Sequence, residues 1–304
     1  MHALPAPAVG PLAAIDLGSN SFRLEIGQVV EGKYRRHYYV KETVRLGAGL
    51  DDDGLLTEDA TQRGLKCLAS FAQTLATSAP IQVRAVATQT LREARNRDEF
   101  LKRGEAVLRH PIEIVSGREE ARLIYAGVAF LQPTTQSRLV VDIGGRSTEM
   151  ILGSGRTPRI AESFQVGCVS LSMRFFGDGK YTRAAFRGAQ VAAGAELEEG
   201  LQPFARDQWR EVLGSSGTAG AVSEVLRASG RTDGRITPAG LRWIIERCLE
   251  GGQVDKLELP GLKPERRAVL GGGVAILYTL CAQFGIDEIQ SAKGALRQGV
   301  IIDM

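Results

Sequence analysis

Ile15-Asp16-Leu17-Gly18-Ser19-Asn20-Ser21-Phe22 and Val141-Asp142-Ile143-Gly144-Gly145-Arg146-Ser147-Thr148 are two related segments, 126 positions apart. Each is an apolar strand that ends in an aspartate and then turns on small residues. After the turn each segment resumes as a strand and reaches a glycine at the same offset, Gly27 and Gly153. The match indicates an internal duplication. Two unrelated hairpins with glycine turns are the alternative for either copy alone, and the repetition argues against it.

The two turns have the composition of anion-binding loops. A turn built from glycine and serine directs successive backbone N–H groups into one concavity, which binds anions, and an aspartate beside it holds a divalent cation through oxygen or water. Two such turns facing each other would hold a phosphate and its metal from both sides. The candidate phosphate-binding residues are Gly18, Ser19, Asn20, Ser21, Gly144, Gly145, Arg146 and Ser147.

Length and composition favour two domains. At 304 residues, with 43% hydrophobic and 24% charged residues, the chain reaches the size at which one hydrophobic core usually divides into two. Residues 132–137 are the most polar break near the middle, so the predicted lobes are 1–131 and 132–304. The last helix is a candidate to pack back on the first lobe. Residues 1–11 have the composition of a flexible tail.

Several classes of protein and site are not supported. No apolar run approaches the roughly 20 residues of a membrane helix, and the N-terminus lacks the features of a signal peptide, so we expect a cytoplasmic protein with no membrane partner. The four cysteines lie far apart and are expected to be buried, reduced thiols. Of the three histidines, His2 lies in the tail, so a histidine-based triad, a phosphohistidine relay or a multi-histidine metal cluster would have to use only His37 and His110. Acid–base chemistry is therefore expected to fall to carboxylates.

Arginine dominates the basic residues, at 30 of 38, although the formal charge is only +3. The guanidinium fork suits bidentate phosphate contacts, but codon bias in a GC-rich genome would explain most of the excess. Two tryptophans and six tyrosines argue against a surface that stacks bases, so no specific nucleic-acid partner is expected. A phosphate-rich small polyanion stays open as the partner.

The hydrophobic pattern predicts the same order of elements in both halves, a hairpin and a strand followed by alternating helices and strands. This alternation indicates an α/β fold with a mixed sheet and helices on its faces. Helices are predicted near 57–76, 100–108, 117–130, 182–200, 218–229, 237–250 and 265–284, with a last one near Gly294, and strands near 33–41, 81–87, 112–115, 159–166, 211–213 and 286–291.

Glu120 is the candidate base. Ser116 and Glu119 have the spacing of a capping box, which gives Glu119 a structural role. Glu120 has no such role and lies in the first helical turn after a strand, where α/β sheets place their ligands.

Two further loops follow strand ends. Arg92 could reach a phosphate, or it could be an ordinary helix-surface arginine. Gly214, Ser215, Ser216 and Gly217 offer free N–H groups at a helix N-terminus, without the lysine of a P-loop. The three glycines at 271–273 fit close helix packing or a helix start better than a ligand loop, although a ligand loop also fits.

These segments together resemble the exopolyphosphatase and guanosine-pentaphosphate phosphohydrolase family (Ppx/GppA). The resemblance rests on Ile15 to Ser21, Arg92, Ser116 to Ala121, Val141 to Glu149, Gly214 to Gly217 and Gly294 to Gly299, in family order across nearly the whole chain. It implies two ribonuclease-H-like lobes of the actin-like ATPase superfamily with a cleft between them. It also implies Mg²⁺-dependent hydrolysis of a terminal phosphoanhydride, with Glu120 as the catalytic glutamate, and a homodimer.

The expected mechanism places the terminal phosphate between the two turns. Arg92 acts as a charge clamp, and Mg²⁺ lies near Asp142 and Glu149, with Asp16 as a further candidate ligand. Glu120 orients and deprotonates a water for in-line attack. The expected activity is that of an exopolyphosphatase acting on inorganic polyphosphate.

Other interpretations stay open. The sister activity on guanosine pentaphosphate uses the same catalytic groups, while a small-molecule kinase of the same superfamily and a nucleotide-binding regulator without turnover are less favoured. Arg146 departs from the family's usual glycine in the second turn and could contact phosphate or narrow the loop. The chain resembles the short family form, which lacks the C-terminal HD-like domain.

Overall fold

Two five-stranded sheets form the framework of the protein in the computed structural model, which describes residues 10–304. The first sheet has the strand order β3-β2-β1-β4-β5. Strands β1, β2 and β3 are antiparallel neighbours, and β4 and β5 run parallel to β1. The strands are β1 (Leu12–Leu17), β2 (Phe22–Val30), β3 (Lys33–Glu42), β4 (Gln82–Ala87) and β5 (Ile112–Ile114). Nearly all of the predicted tail lies outside the described residues.

The second sheet repeats the first strand for strand, in the order β10-β9-β6-β7-β8. Its strands are β6 (Ser137–Ile143), β7 (Thr148–Ser154), β8 (Thr157–Phe164), β9 (Glu211–Gly214) and β10 (Gln290–Ser291). Even the β-bulges correspond, since the register shifts at Gly27 in one hairpin and at Gly153 in the other. The predicted α/β fold class, with two ribonuclease-H-like lobes around a cleft, is therefore confirmed.

Ten helices cover the sheets within the described residues. They are α1 (Glu58–Ser78), α2 (Gln89–Glu93), α3 (Arg97–Leu108), α4 (Gly117–Leu131), α5 (Cys168–Phe176), α6 (Arg183–Leu197), α7 (Gly217–Ala228), α8 (Pro238–Gly251), α9 (Arg267–Phe284) and α10 (Leu296–Asp303). Threonine and serine caps begin several of them, as at α1, where Thr57 accepts a hydrogen bond from the Ala60 N–H. Helices α2 and α5 were not predicted, and β10 is shorter than the predicted 286–291.

A shared apolar layer joins the two lobes. Besides one core in each lobe, a third cluster contains buried side chains of α4 and α10 together with Ala14 and Val86 of the first sheet and Val140 and Ile151 of the second. Helix α10 also touches β1 and β2. The boundary at residue 131 stays a prediction, because α4 packs on strands of the second sheet and α10 on strands of the first.

Helix α9 is the most apolar helix among residues 10–304. Within residues 10–304, the segment Pro264–Phe284 is the one helical stretch with the length and composition of a membrane span, at mean hydropathy 1.3, and 67% of that window is buried. A Cβ on Gly272 would lie 2.6 Å from the Cys168 carbonyl oxygen, at the start of α5. The glycine triplet thus allows α9 and α5 to pack closely in the second core.

Candidate active site between the lobes

Both duplicated turns line one cavity of about 660 Å³ between the lobes. The turns also touch, since a Cβ on Gly145 would lie 2.8 Å from the Ser19 Cβ and 3.3 Å from the Asn20 nitrogen. Glu120, Asp16 and Asp142 line the same cavity. The duplication therefore places two equivalent loops and three carboxylates around a single space.

Glycine has the same role in each turn. A Cβ on Gly18 would lie 3.0 Å from the Ser21 carbonyl oxygen, and one on Gly144 would lie 3.1 Å from that of Ser147. Both glycines therefore sit where a side chain would crowd the turn.

Ser21 carries a buried hydroxyl without a hydrogen-bond partner. The residue is 1% exposed and lines the cavity. Buried polar groups are nearly always satisfied, so an orphaned hydroxyl at this place favours a polar ligand that completes it. The neighbouring Ser19 hydroxyl already accepts a hydrogen bond from Thr90 at 2.7 Å.

The two hairpins differ in the residue opposite the aspartate. In the first hairpin Asp16 faces Arg23, whose Nη1 lies 2.8 Å from Asp16 Oδ2, and Arg297 lies 3.6 Å away. In the second hairpin Asp142 faces Glu149. Directly opposed residues share one face of the sheet, so the second hairpin holds two carboxylates where the first holds a neutral pair.

Burial raises the pKa of Asp142 to about 6. Burial, together with the neighbouring Asp142 charge, also raises the pKa of Glu149, whose Oε1 accepts a hydrogen bond from Ser163 at 2.8 Å. Asp142 lines the cavity, whereas Glu149 is buried and does not line it. Two buried carboxylates of this kind suit a hard divalent cation, and Mg²⁺ commonly uses only one or two carboxylates plus substrate oxygens and waters.

Asp16 fits a metal less well than these two, because Arg23 and Arg297 already balance its charge. Within the part of the chain that the structure describes, no group of three or more histidine, cysteine, aspartate or glutamate side chains forms a metal cluster. The predicted ligand set of Asp16, Asp142 and Glu149 thus stays a prediction, with Asp142 and Glu149 as its better-suited members.

Glu120 lies in the first turn of α4, which Ser116 caps by accepting a hydrogen bond from the Glu119 N–H at 3.2 Å. The Glu120 side chain is 9% exposed and its Oε2 lies 2.8 Å from Arg92 Nη1. Burial and the nearby Glu149 charge raise the pKa of Glu120 well above its ordinary value, against the opposing effect of Arg92.

Glu119 points elsewhere, although not as predicted. Its carboxylate accepts two hydrogen bonds of 2.8 Å from Arg122. The cap of α4 is therefore one-sided, and Glu119 is held by an ion pair on the helix surface. Glu119 therefore has a structural role, as predicted, but through its contact with Arg122 rather than through a capping box.

Arg92 is brought to the site but does not line the cavity. Its Nη1 donates to Glu120 and to the Val115 carbonyl, and its Nε and Nη2 donate to Gln89 Oε1. The guanidinium therefore contacts the candidate base, and the predicted direct clamp on a phosphate stays a prediction.

The remaining predicted phosphate ligands divide into two groups. Ser215, Ser216 and Gly217 line the cavity at the N-terminus of α7, whereas Gly214 lies outside it. Arg146 also lies outside it, because its Nε donates to Glu93 at 2.6 Å and its Nη1 to the Gly47 carbonyl. The second turn therefore presents Gly144, Gly145 and Ser147 to the cavity.

The cavity also has a basic wall, which the sequence analysis did not predict. We use this name for the lysines and arginines that line the cavity, which are Arg23, Arg36, Lys41, Lys263, Arg266, Lys293 and Arg297. They come from distant parts of the chain, so only the excess of arginine could have indicated them. Burial lowers the pKa of Lys41 to about 8, with Arg266 and Arg23 adding to the effect, and burial also lowers the pKa of Arg266. Such crowded cations favour an anionic ligand.

Comparisons with known proteins match this geometry. A sequence model of the Ppx/GppA phosphatase family matches residues 26–304. A curated relative from Aeromonas hydrophila, named guanosine-5'-triphosphate,3'-diphosphate pyrophosphatase, is 42% identical over 289 residues, which are 95% of this chain and 58% of the relative. The chain thus spans little more than half the length of this relative.

Solved structures show the same fold. An exopolyphosphatase from Cytophaga hutchinsonii superimposes with a TM-score of 0.83 at 23% identity and covers 96% of this chain and 98% of its own. The Aquifex aeolicus PPX-GPPA enzyme has a TM-score of 0.78 at 24% identity, with coverage of 97% and 99%.

Proposed function

Because the chain belongs to the Ppx/GppA phosphatase family, we propose that it hydrolyses the terminal phosphoanhydride of a linear polyanion, with inorganic polyphosphate as the first candidate substrate. One observation carries the proposal: the two duplicated turns and the buried Glu120 meet in one cavity whose wall is basic.

The terminal phosphate would lie between the two turns. Backbone N–H groups there, with the orphaned Ser21 hydroxyl, offer hydrogen bonds to phosphoryl oxygens without any cost of reorganisation at the moment of reaction. The basic wall would balance the charge of the rest of the polyanion and of the departing phosphate.

Glu120 would act as the general base. A carboxylate with a raised pKa is suited to take a proton near neutral pH. The water gives its proton to Glu120 while its oxygen attacks phosphorus in line with the departing phosphate oxygen. Arg92, which donates to Glu120 Oε2, would leave Oε1 free to face the water. No phosphoenzyme is required.

Asp142 and Glu149 would hold Mg²⁺. When bound, the ion neutralises the charge that develops on the phosphoryl oxygens. Arg23 supplies positive charge beside Asp16 at the equivalent position of the first lobe, so the two hairpins would present one metal and one guanidinium to the substrate.

Guanosine pentaphosphate is the second candidate substrate. The Aeromonas hydrophila relative carries that activity in its name and is 42% identical to this chain. Both substrates present a terminal phosphate to the same groups and differ only on the departing side. A cytoplasmic homodimer is a further proposal, taken from the family resemblance.

One experiment separates these functions. Phosphate release with Mg²⁺ is measured side by side from long-chain polyphosphate, guanosine pentaphosphate and ATP. Rapid release from polyphosphate supports the first proposal, and release from guanosine pentaphosphate alone supports the second. No release from any substrate would contradict hydrolysis and favour a kinase or a binding regulator.

A further inference from the structure

A row of hydrogen-bonded side chains runs from the second turn to Glu120 through the first lobe. Arg146 Nε donates to Glu93 Oε2 at 2.6 Å, and Gln89 Nε2 donates to Glu93 Oε1 at 2.6 Å. Gln89 Oε1 accepts from Arg92 Nε at 2.9 Å and from Arg92 Nη2 at 2.6 Å. Arg92 Nη1 then donates to Glu120 Oε2 at 2.8 Å. We call Arg146, Glu93, Gln89 and Arg92 the relay.

The relay has a fixed direction because of Gln89. A glutamine amide donates only through its nitrogen and accepts only through its oxygen. The Glu93 carboxylate accepts and cannot donate when ionised, so the Gln89 nitrogen must face Glu93. The Gln89 oxygen must then face Arg92, whose guanidinium has donors alone. If the amide turned over, two donors would oppose each other at Arg92.

The relay also crosses from one lobe to the other. Arg146 belongs to the turn between β6 and β7 of the second sheet, whereas Glu93 and Gln89 lie on α2, after β4 of the first. Arg146 Nη1 makes a second bond across the cleft to the Gly47 carbonyl at 3.2 Å. The Arg146 and Glu93 side chains are only 21% and 25% exposed, so water screens their ion pair weakly.

We propose that Arg146, Glu93 and Gln89 are positioning residues, which fix the Arg92 guanidinium against Glu120 only while the second turn rests on the first lobe. The proposal rests on the hydrolytic function proposed above. Closing the lobes on a substrate and orienting the base are then one event, since the same arginine holds the turn and begins the relay. None of the three residues touches the substrate in this account.

Three variants and a matched control test the relay. Arg146→Ala removes the contact between the lobes, and Arg146→Lys keeps one donor and the charge. Glu93→Gln keeps the shape but removes the negative charge that pairs with Arg146, and it removes one of the two contacts that orient the Gln89 amide. Arg118→Ala is the control, because Arg118 makes an exposed ion pair of 2.9 Å from α4 to Glu162 of β8, outside the relay.

We expect Arg146→Ala and Glu93→Gln each to lower kcat by about tenfold or more, since small misplacements of a catalytic group are costly, while KM stays within about twofold. The double variant should be little worse than either single variant, because both changes interrupt one pathway. Arg146→Lys should lie between Arg146→Ala and the parent, and Arg118→Ala should match the parent. A rise in KM with unchanged kcat would overturn the proposal and make Arg146 a substrate ligand, and unchanged kinetics would overturn it as well.

A measurement without substrate separates this proposal from the proposed function. Deuterium uptake across α2 should rise in Arg146→Ala and stay at the parent level in Arg118→Ala. If the parent releases no phosphate, the proposed hydrolytic function is contradicted. The deuterium uptake of α2 then tests only whether Arg146 holds the relay in place. Equal uptake in all three proteins would overturn it.

Discussion

Glu119 and Glu120 are neighbours on α4, yet their surroundings are opposite. Glu120 lines the cavity and is buried against Arg92, whereas Glu119 forms a half-buried ion pair with Arg122. Successive helical residues point about 100° apart, so only one of the two can face the cleft. The assignment of the base therefore rests on local geometry as well as on the resemblance.

Glu120→Gln should lower phosphate release by about 10² to 10⁴-fold, because the base is lost while the shape is kept. Glu119→Gln should stay within a few-fold of the parent, since it weakens only a surface ion pair. Steady-state assays on both variants check this, with substrate retention as the control for folding. The reverse result would make Glu119 the base.

Lys41 should give substrate binding a basic pH limit. Burial lowers its pKa to about 8, below the ordinary lysine value. A polyanion favours the protonated form, so affinity is full below that pKa and declines as pH rises through about 8. We expect KM to rise above pH 8 in the parent. In Lys41→Arg, which stays charged, KM should remain level, and an identical rise in both proteins would assign the limit to another group.

The sequence could identify Glu120 but not its partner. Ser116 marked the start of α4, and the position of Glu120 after that cap followed from it. Arg92 was predicted as a phosphate ligand, and its contact with Glu120 was not predicted because it depends on how α2 and α4 meet in space. The basic wall was not predicted for the same reason, because its residues come together only in the folded protein.

The two hairpins β1–β2 and β6–β7 show how duplication allows specialisation. Their strand registers and turn glycines correspond, but Arg23 in one is replaced by Glu149 in the other. The first hairpin thus balances its own aspartate, whereas the second hairpin opposes Asp142 with a second carboxylate.

Mg²⁺ should therefore stabilise the protein through the second hairpin. A ligand that binds only the folded state raises its stability. We expect a Mg²⁺-dependent rise in Tm for the parent, no rise for Asp142→Asn, and a retained rise for Asp16→Asn. The rise should be larger at pH 7.5 than at pH 5, because the Asp142 pKa of about 6 means that protons compete with the ion at the lower pH. Loss of the rise in Asp16→Asn alone would move the metal to the first hairpin.

The packing of α10 on α4 offers a stability test. A Cβ on Gly299 would clash with the Leu123 carbonyl, whereas one on Gly220 of α7 would meet nothing within 4 Å. Gly299→Ala should lower the free energy of unfolding by about 1–3 kcal/mol or more through overpacking. Gly220→Ala should raise it by roughly 0.5–1 kcal/mol. Denaturant titrations measure both, and equal effects would mean that the helices separate easily.

Most helices and strands were predictable from the period of the hydrophobic residues and from the residues that cap helices. The exceptions have physical reasons. Helix α5 begins at Cys168, and its N-cap Gly167 has no side chain to cap the first turn, so the sequence lacks the usual N-cap residue there. Strand β10 is short because only two of its residues pair with β9. Both features depend on tertiary contacts rather than on local preference.

At the scale of the whole molecule, two copies of one lobe enclose a site that neither copy forms alone. The first lobe supplies Glu120 and the Arg23–Asp16 pair, and the second supplies Asp142 and Glu149. The repeated segments in the sequence predicted two facing lobes. The hydrogen-bonded row of side chains from Arg146 to Arg92 could be recognised only in the structure.

The central claim is that both turns hold the same terminal phosphate. A crystal structure of Glu120→Gln with Mg²⁺ and a short linear polyphosphate tests it directly, because that variant should bind without turnover. We expect the terminal phosphate within hydrogen-bond distance of backbone N–H groups in both 18–21 and 144–147. A terminal phosphate held by one turn only, or bound outside the cleft, would contradict the account.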